Sequence, residues 1–181
     1  MSSSTTVPRP DSDEFPPYFG QYIDLVPDGN LLMVLETQLG GTCDALVQLS
    51  AETATRRPSA GEWSPLDIAV HLADTERVLA YRAYTFARNA GAELPGVDFE
   101  AFAEAAGANA RTIDEVAAEL HAVRSASLTL FRSLTADQWN HKGIASGSTI
   151  SVRALAYIIA GHDLHHLPDL QSAAAGTNAR G

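Results

Sequence analysis

Along the chain, stretches in which apolar residues return every three or four positions alternate with short runs of glycine, proline, serine and charge. Four such stretches predict helices. The first covers about 29–52, where Leu32, Leu35, Leu39, Leu46 and Leu49 share a face. Gly40 and Gly41 fall inside it; each is about 1 kcal/mol less favourable than alanine in a helix, which predicts a bend or a close helix contact there. The second opens in "EWSPLDIAVHLADTERV", where Ser64 suits the N-cap, Pro65 the first turn and Asp67 the reciprocal place in a capping box. It should run to about 89, ahead of the glycines and proline of "AGAELPG". The third begins with Thr112 and Glu115 as another capping box and carries Ile113, Val116, Leu120, Val123, Ser127, Leu130 and Leu134 on its inner stripe. The fourth follows Ser151 with "VRALAYIIAGHDLHH" and should end or kink near Pro168, whose nitrogen cannot donate to the Leu164 carbonyl. No two-residue alternation marks a strand.

About twenty residues, "GAELPGVDFEAFAEAAGANA", join the second and third helices, long for a link between antiparallel neighbours. The expectation is an all-α fold, a four-helix bundle with a long crossover between helices 2 and 3, over residues 21–170. Flexible polar tails are expected at 1–20 and 171–181. A chain of 181 residues can bury one continuous core. Its 45% hydrophobic and 19% charged residues are ordinary for a globular protein, and no apolar run reaches the roughly 18 residues of a membrane span. The start, "MSSSTTVPRPDSDEF", lacks the basic-then-apolar order of a secretion signal, so a cytoplasmic location is expected, with no membrane partner. A formal charge of −10 disfavours nucleic acid as a partner. Cys43 is alone and is expected to pack inside the first helix.

Six histidines carry the candidate chemistry. On the fourth helix Val152, Leu155, Ile159, His162 and His166 follow one another at steps of three and four, so two histidines stand where leucines would. Residues four apart differ by roughly 40° in rotation and 6 Å in rise, so both imidazoles reach one point. His71 shares the stripe of Ile68, Thr75 and Val78 on the second helix. Were both stripes to face one core, His71, His162 and His166 would converge as a divalent-metal site, zinc, nickel or iron being the candidates. Three protein nitrogens would leave a coordination place for water or a small-molecule substrate. Hydrogen-bonded core histidines are the alternative, since an HxxxH pair recurs by chance on helices. Asp74 and Asp163 lie close enough in sequence to orient the ligands from outside, and His165, about 60° from His162, is a further neighbour. Asp67 is better used by its capping box. His121 and His141 are expected to face solvent; Arg77, Arg82, Arg88 and Arg124 could hold an anionic substrate, but most of them are expected to be solvated surface groups. "HDLHH" departs from the HExxH metallopeptidase pattern: an aspartate replaces the glutamate base, and no later histidine, cysteine or glutamate supplies a third ligand.

"EWSPLDIAVHLADTERVLAYRAYTFAR", "RSLTADQWNHKG" and "SVRALAYIIAGHDLHH", in that order, resemble three blocks of the DinB/YfiT-like superfamily over about Tyr18 to Leu170. The resemblance implies a bacterial four-helix bundle, often a homodimer. It also implies a divalent metal held by one histidine of helix two and the HxxxH pair of helix four, at His71, His162 and His166. Members with assigned activity use a low-molecular-weight thiol, mycothiol or bacillithiol, in metal-dependent transfer or isomerisation. Beside this thiol-dependent transferase or isomerase reading, simple hydrolysis, a non-catalytic metal- or small-ligand-binding stress-response protein, and a helical interaction module without metal stay open. The chain departs from the family after His166, where Pro168 and "QSAAAGTNARG" replace the usual arginine- and tyrosine-bearing continuation.

Overall fold

The structure, a computed structural model, describes residues 7–176. A 3-10 turn at Pro17–Phe19 leads into α1 (Gly20–Ile23), followed by α2 (Leu31–Val47), α3 (Ala51–Thr55) and α4 (Pro65–Arg88). Then come β1 (Glu93–Leu94), α5 (Phe99–Ala105), a 3-10 turn at Ala108–Ala110 and α6 (Ile113–Arg132). The chain closes with α7 (Ala136–Asn140), β2 (Lys142–Ala145), β3 (Ser148–Ser151) and α8 (Val152–Ala174). Among the described residues no helix is long and apolar enough to cross a membrane.

α2, α4, α6 and α8 form the bundle, and local chemistry starts each one. Asn30 caps α2, both expected capping boxes close at Ser64–Asp67 and Thr112–Glu115, and the Ser151 hydroxyl accepts from the Ala154 N–H. These caps satisfy N–H groups that a helix start leaves without partners. The core has two apolar halves. Leu31 and Leu35, Leu79 and Phe86, Leu128 and Phe131, and Leu155 and Ile158 fill one. Leu46, Leu66 and Leu72, Val116 and Leu120, and Leu170 fill the other. The order in which each helix visits the halves makes α2 parallel to α8, and α4 parallel to α6. Between the halves runs a buried polar layer: Gln38 and Thr42, Thr75 and Glu76, Arg124 and Ser127, His162 and Asp163.

Parallel α4 and α6 demand that residues 89–112 travel back along the bundle, as the length of this connection predicts. It does so with structure of its own. β1 pairs in parallel with β2, and Asn109 lies against the start of α4, where the Ser64 hydroxyl donates to it at 2.8 Å.

Several expectations need correction. The first helix ends at Val47 and resumes as α3, and Gly40 and Gly41 sit inside an unbroken α2. A three-stranded sheet exists although the pattern showed none: β2 and β3 form a hairpin whose turn, Ser146 at φ 53° and Gly147 at φ 75°, has the left-handed geometry of a two-residue link. Four-residue strands are too short to display a period. Residues 7–20 are packed where a tail was expected: Val7 is buried, and the Arg9 guanidinium donates to the Ile23 and Val26 carbonyls. α8 runs past Pro168 to Ala174. A proline inside a helix costs about 3 kcal/mol; Leu170, fully buried two residues beyond, returns about 2 kcal/mol and Leu167 packs beside it. Residues 1–6 and 177–181 of the expected tails lie outside the described residues.

Candidate metal centre

His71 projects from α4 and His162 and His166 from the antiparallel α8, all into the level where the polar layer meets the second apolar half. The Nε2 atoms of His71 and His162 are 3.1 Å apart. One ligand nitrogen of each of the three lies within 4.8 Å of the others. The ring centroids stand 4.9, 5.5 and 4.8 Å apart, with the planes steeply inclined, so the rings converge by their edges instead of stacking.

His71 and His162 are each only 7% exposed. Burial pushes the His71 imidazole down to about 4, and burial, with the neighbouring histidines adding to it, holds His162 well below the usual histidine range. Both rings are therefore neutral near pH 7, the form that offers a lone pair to a cation. Three imidazoles at this spacing fit a small divalent ion, whose bonds to nitrogen are about 2.0–2.1 Å.

The surroundings differ from those expected. Asp74 is held by Arg77 at 2.9 Å on the surface, and exposed His165 packs beside His166 and Tyr22 without joining the three. Asp163 points into the polar layer, where the Arg124 guanidinium donates to it at 3.1 Å. The groups found at the candidate ligands are others. The Thr75 hydroxyl is 3.5 Å from His71 Nδ1, an Asp169 carboxylate oxygen is 4.0 Å from His166 Nδ1, and the Trp63 ring lies 4.5 Å from that of His71. Thr75 and Asp169 follow their histidines by four and three residues, so helical spacing could have found them; Trp63, just ahead of an N-cap, carried no such signal.

Arg124 overturns its expected solvated role. Its side chain is 4% exposed, and its Nε donates to both Glu76 carboxylate oxygens at 2.9 and 3.0 Å. It also reaches the Leu35 carbonyl at 2.7 Å, so one guanidinium joins α6 to α4, α8 and α2. Burial raises the Asp163 carboxyl above the usual carboxylate range, against the opposing pull of Arg124. Arg82 is buried too, donating to the Pro95 carbonyl and the Ser146 hydroxyl. His121 is exposed as expected, whereas His141 is half-buried between Ala87 and Asp137.

A cavity of about 630 Å³ opens at His166, with Asp169, Trp63, Ile68, Glu100 and Glu104 also among its walls. That volume is ordinary for a small-molecule site. Cys43 is buried, and burial lifts its thiol above the ordinary range.

Among solved structures, the chain is similar to YfiT from Bacillus subtilis, described as a probable metal-dependent hydrolase with an unusual four-helix bundle topology. The two superpose with a TM-score of 0.73 at 17% identity, over 97% of this chain and 98% of that one, which establishes the fold. A search of curated proteins finds no match. The family model of the DinB superfamily matches residues 35–169, a span that contains all three histidines and reaches from Leu35 in α2 to Asp169 in α8. The chain thus belongs to the DinB superfamily.

Proposed function

We propose that the protein is a metal-dependent enzyme of the hydrolase type, acting on a small molecule through a divalent ion held by His71, His162 and His166. The observation that carries this reading is the convergence of three imidazole nitrogens within 4.8 Å, from two helices, beside a cavity of substrate size. A bound divalent ion would supply Lewis acidity and lower the pKa of a coordinated water toward neutrality.

The chain's own groups would do the rest. Neutral His71 and His162 present lone pairs without first losing a proton, and Thr75 and Asp169 sit where they can orient the rings of His71 and His166. Trp63 and Ile68 form apolar wall beside the histidines, which limits water there and strengthens any charge interaction with substrate. The description of YfiT favours hydrolysis over thiol transfer. Transfer would need a thiol arriving with the substrates, because Cys43 is shut away in the core.

The test is a panel of ester, amide and thioester substrates, with zinc, nickel or iron and with and without added low-molecular-weight thiol. Turnover without thiol that disappears in His71→Ala, with helicity retained, is expected. Turnover that survives in His71→Ala would contradict the proposal, and turnover that needs the thiol would reassign the enzyme to the transferases.

A further inference from the structure

The N-terminal segment meets α8 at two levels. At the start of α8 the Ser151 hydroxyl donates to the buried Glu14 carboxylate at 2.6 Å, the Ser151 N–H donates to the Glu14 carbonyl at 3.0 Å, and Arg153 pairs with the same carboxylate. Ten residues on, about 15 Å along the helix, α1 crosses at Gly161. A Cβ at that position would overlap the Tyr22 carbonyl group, so only glycine admits the backbone of α1 so close. Ile23, fully buried, anchors the crossing.

At this crossing the Tyr22 ring stands edge-on to two histidines, with centroids 5.3 Å from His162 and 5.3 Å from His165 at interplanar angles of 89° and 87°. Its hydroxyl lies away from the imidazoles, 3.1 Å from the Tyr18 hydroxyl. His162 is therefore bounded by Tyr22 on one side and by His71 on another. Swinging the His162 ring toward α1 would drive it into Tyr22, whereas its present rotamer brings Nε2 to 3.1 Å from that of His71. Tyr22 lies ahead of residues 35–169, the span that the family model matches.

We propose that Tyr22 is a positioning residue for the metal centre: its ring, docked through Gly161, fixes the His162 imidazole in the orientation that meets His71. The proposal rests on reading the three histidines as metal ligands. It concerns the ring and not the hydroxyl. Aromatic contact of this kind constrains orientation as well as adding apolar burial, and losing a group that orients a ligand typically weakens metal binding about 10- to 100-fold.

Zinc affinity of the full, untagged chain, measured by competition with a chromophoric chelator, is the test, with circular dichroism on the same samples. Tyr22→Ala should bind zinc about 10- to 100-fold more weakly at unchanged helicity, and Tyr22→Phe should match the wild type. Where Tyr22→Ala fails to fold, Tyr22→Leu, which keeps the bulk but not the flat ring, should show the same weakening. Wild-type affinity in a folded Tyr22→Ala or Tyr22→Leu would overturn the proposal, as would a Tyr22→Phe as weak as these. A wild type that binds no zinc would instead remove the metal reading. Positioning is then read in the metal-free protein from the nuclear Overhauser contact between the His71 and His162 rings. Its loss in Tyr22→Leu but not Tyr22→Phe is expected, and its persistence in Tyr22→Leu would overturn the proposal.

Discussion

His71 and His162, 91 residues apart in the chain, bring their Nε2 atoms to 3.1 Å in the interior of the bundle. Two neutral imidazoles at that separation satisfy each other only if one donates and the other accepts. A cation between them would be served by both lone pairs at once.

Acid should unfold the metal-free protein earlier than its carboxylates alone would dictate. His71 has its imidazole lowered by burial to about 4, below the 6.5 of an exposed histidine, so between these values the unfolded chain binds more protons than the folded one. Stability from this group is therefore complete above about pH 6.5 and drains away as the pH falls toward 4, by about 3 kcal/mol in all. His162, lowered in the same direction, adds to the loss. Urea midpoints of chelator-treated protein between pH 7.5 and 4.5 check this. The slope should shrink in His71→Gln, and an equal slope in the variant would contradict the assignment.

Arg124→Ala should be among the most damaging single changes. It strips the shared cation from Glu76 and Asp163 and leaves two carboxyl groups buried among four helices. Breaking a buried pair in this way costs about 3–5 kcal/mol. Chemical denaturation is the measurement. Arg77→Ala, which removes a surface partner of Asp74 and Glu119, should cost about 1 kcal/mol or less.

Two glycines should respond in opposite senses to alanine. Nothing lies within 4 Å of a Cβ at Gly40, inside α2, so Gly40→Ala should stabilise by about 0.5–1 kcal/mol through helix propensity alone. Gly161→Ala meets the backbone of Tyr22 and must push α1 off α8, at a cost of about 1–3 kcal/mol or more. Thermal melts of the two variants side by side provide the comparison.

How much of this was legible in the sequence varies with how local the cause is. Ser64–Asp67 and Thr112–Glu115 announce their helix starts because a cap needs only residues three apart. His71, His162 and His166 announce their convergence because they interrupt apolar stripes at helical spacing, which needs only the period of each helix. Arg124 departs from expectation because a guanidinium is ordinarily a surface group; yet it lies four residues from Leu120 and from Leu128, both buried, and Glu76 stands likewise between Leu72 and Leu79. Taken together, those two interrupted stripes predict a buried ion pair. The continuation of α8 through Pro168 depends on Leu170 finding a pocket, a tertiary fact that no local rule contains. The same holds for Tyr22, which reaches His162 only because Gly161, 139 positions later, has no side chain.

Elemental analysis of native protein, purified without a tag or a nickel column, tests the metal centre most directly. The account predicts about one equivalent of a divalent transition metal per chain, since three histidines complete one site, and its disappearance in His162→Ala with the helices intact. Metal below about a tenth of an equivalent in the wild type, persisting after zinc is supplied and the excess dialysed away, would contradict it, because three convergent imidazoles should hold an ion at neutral pH.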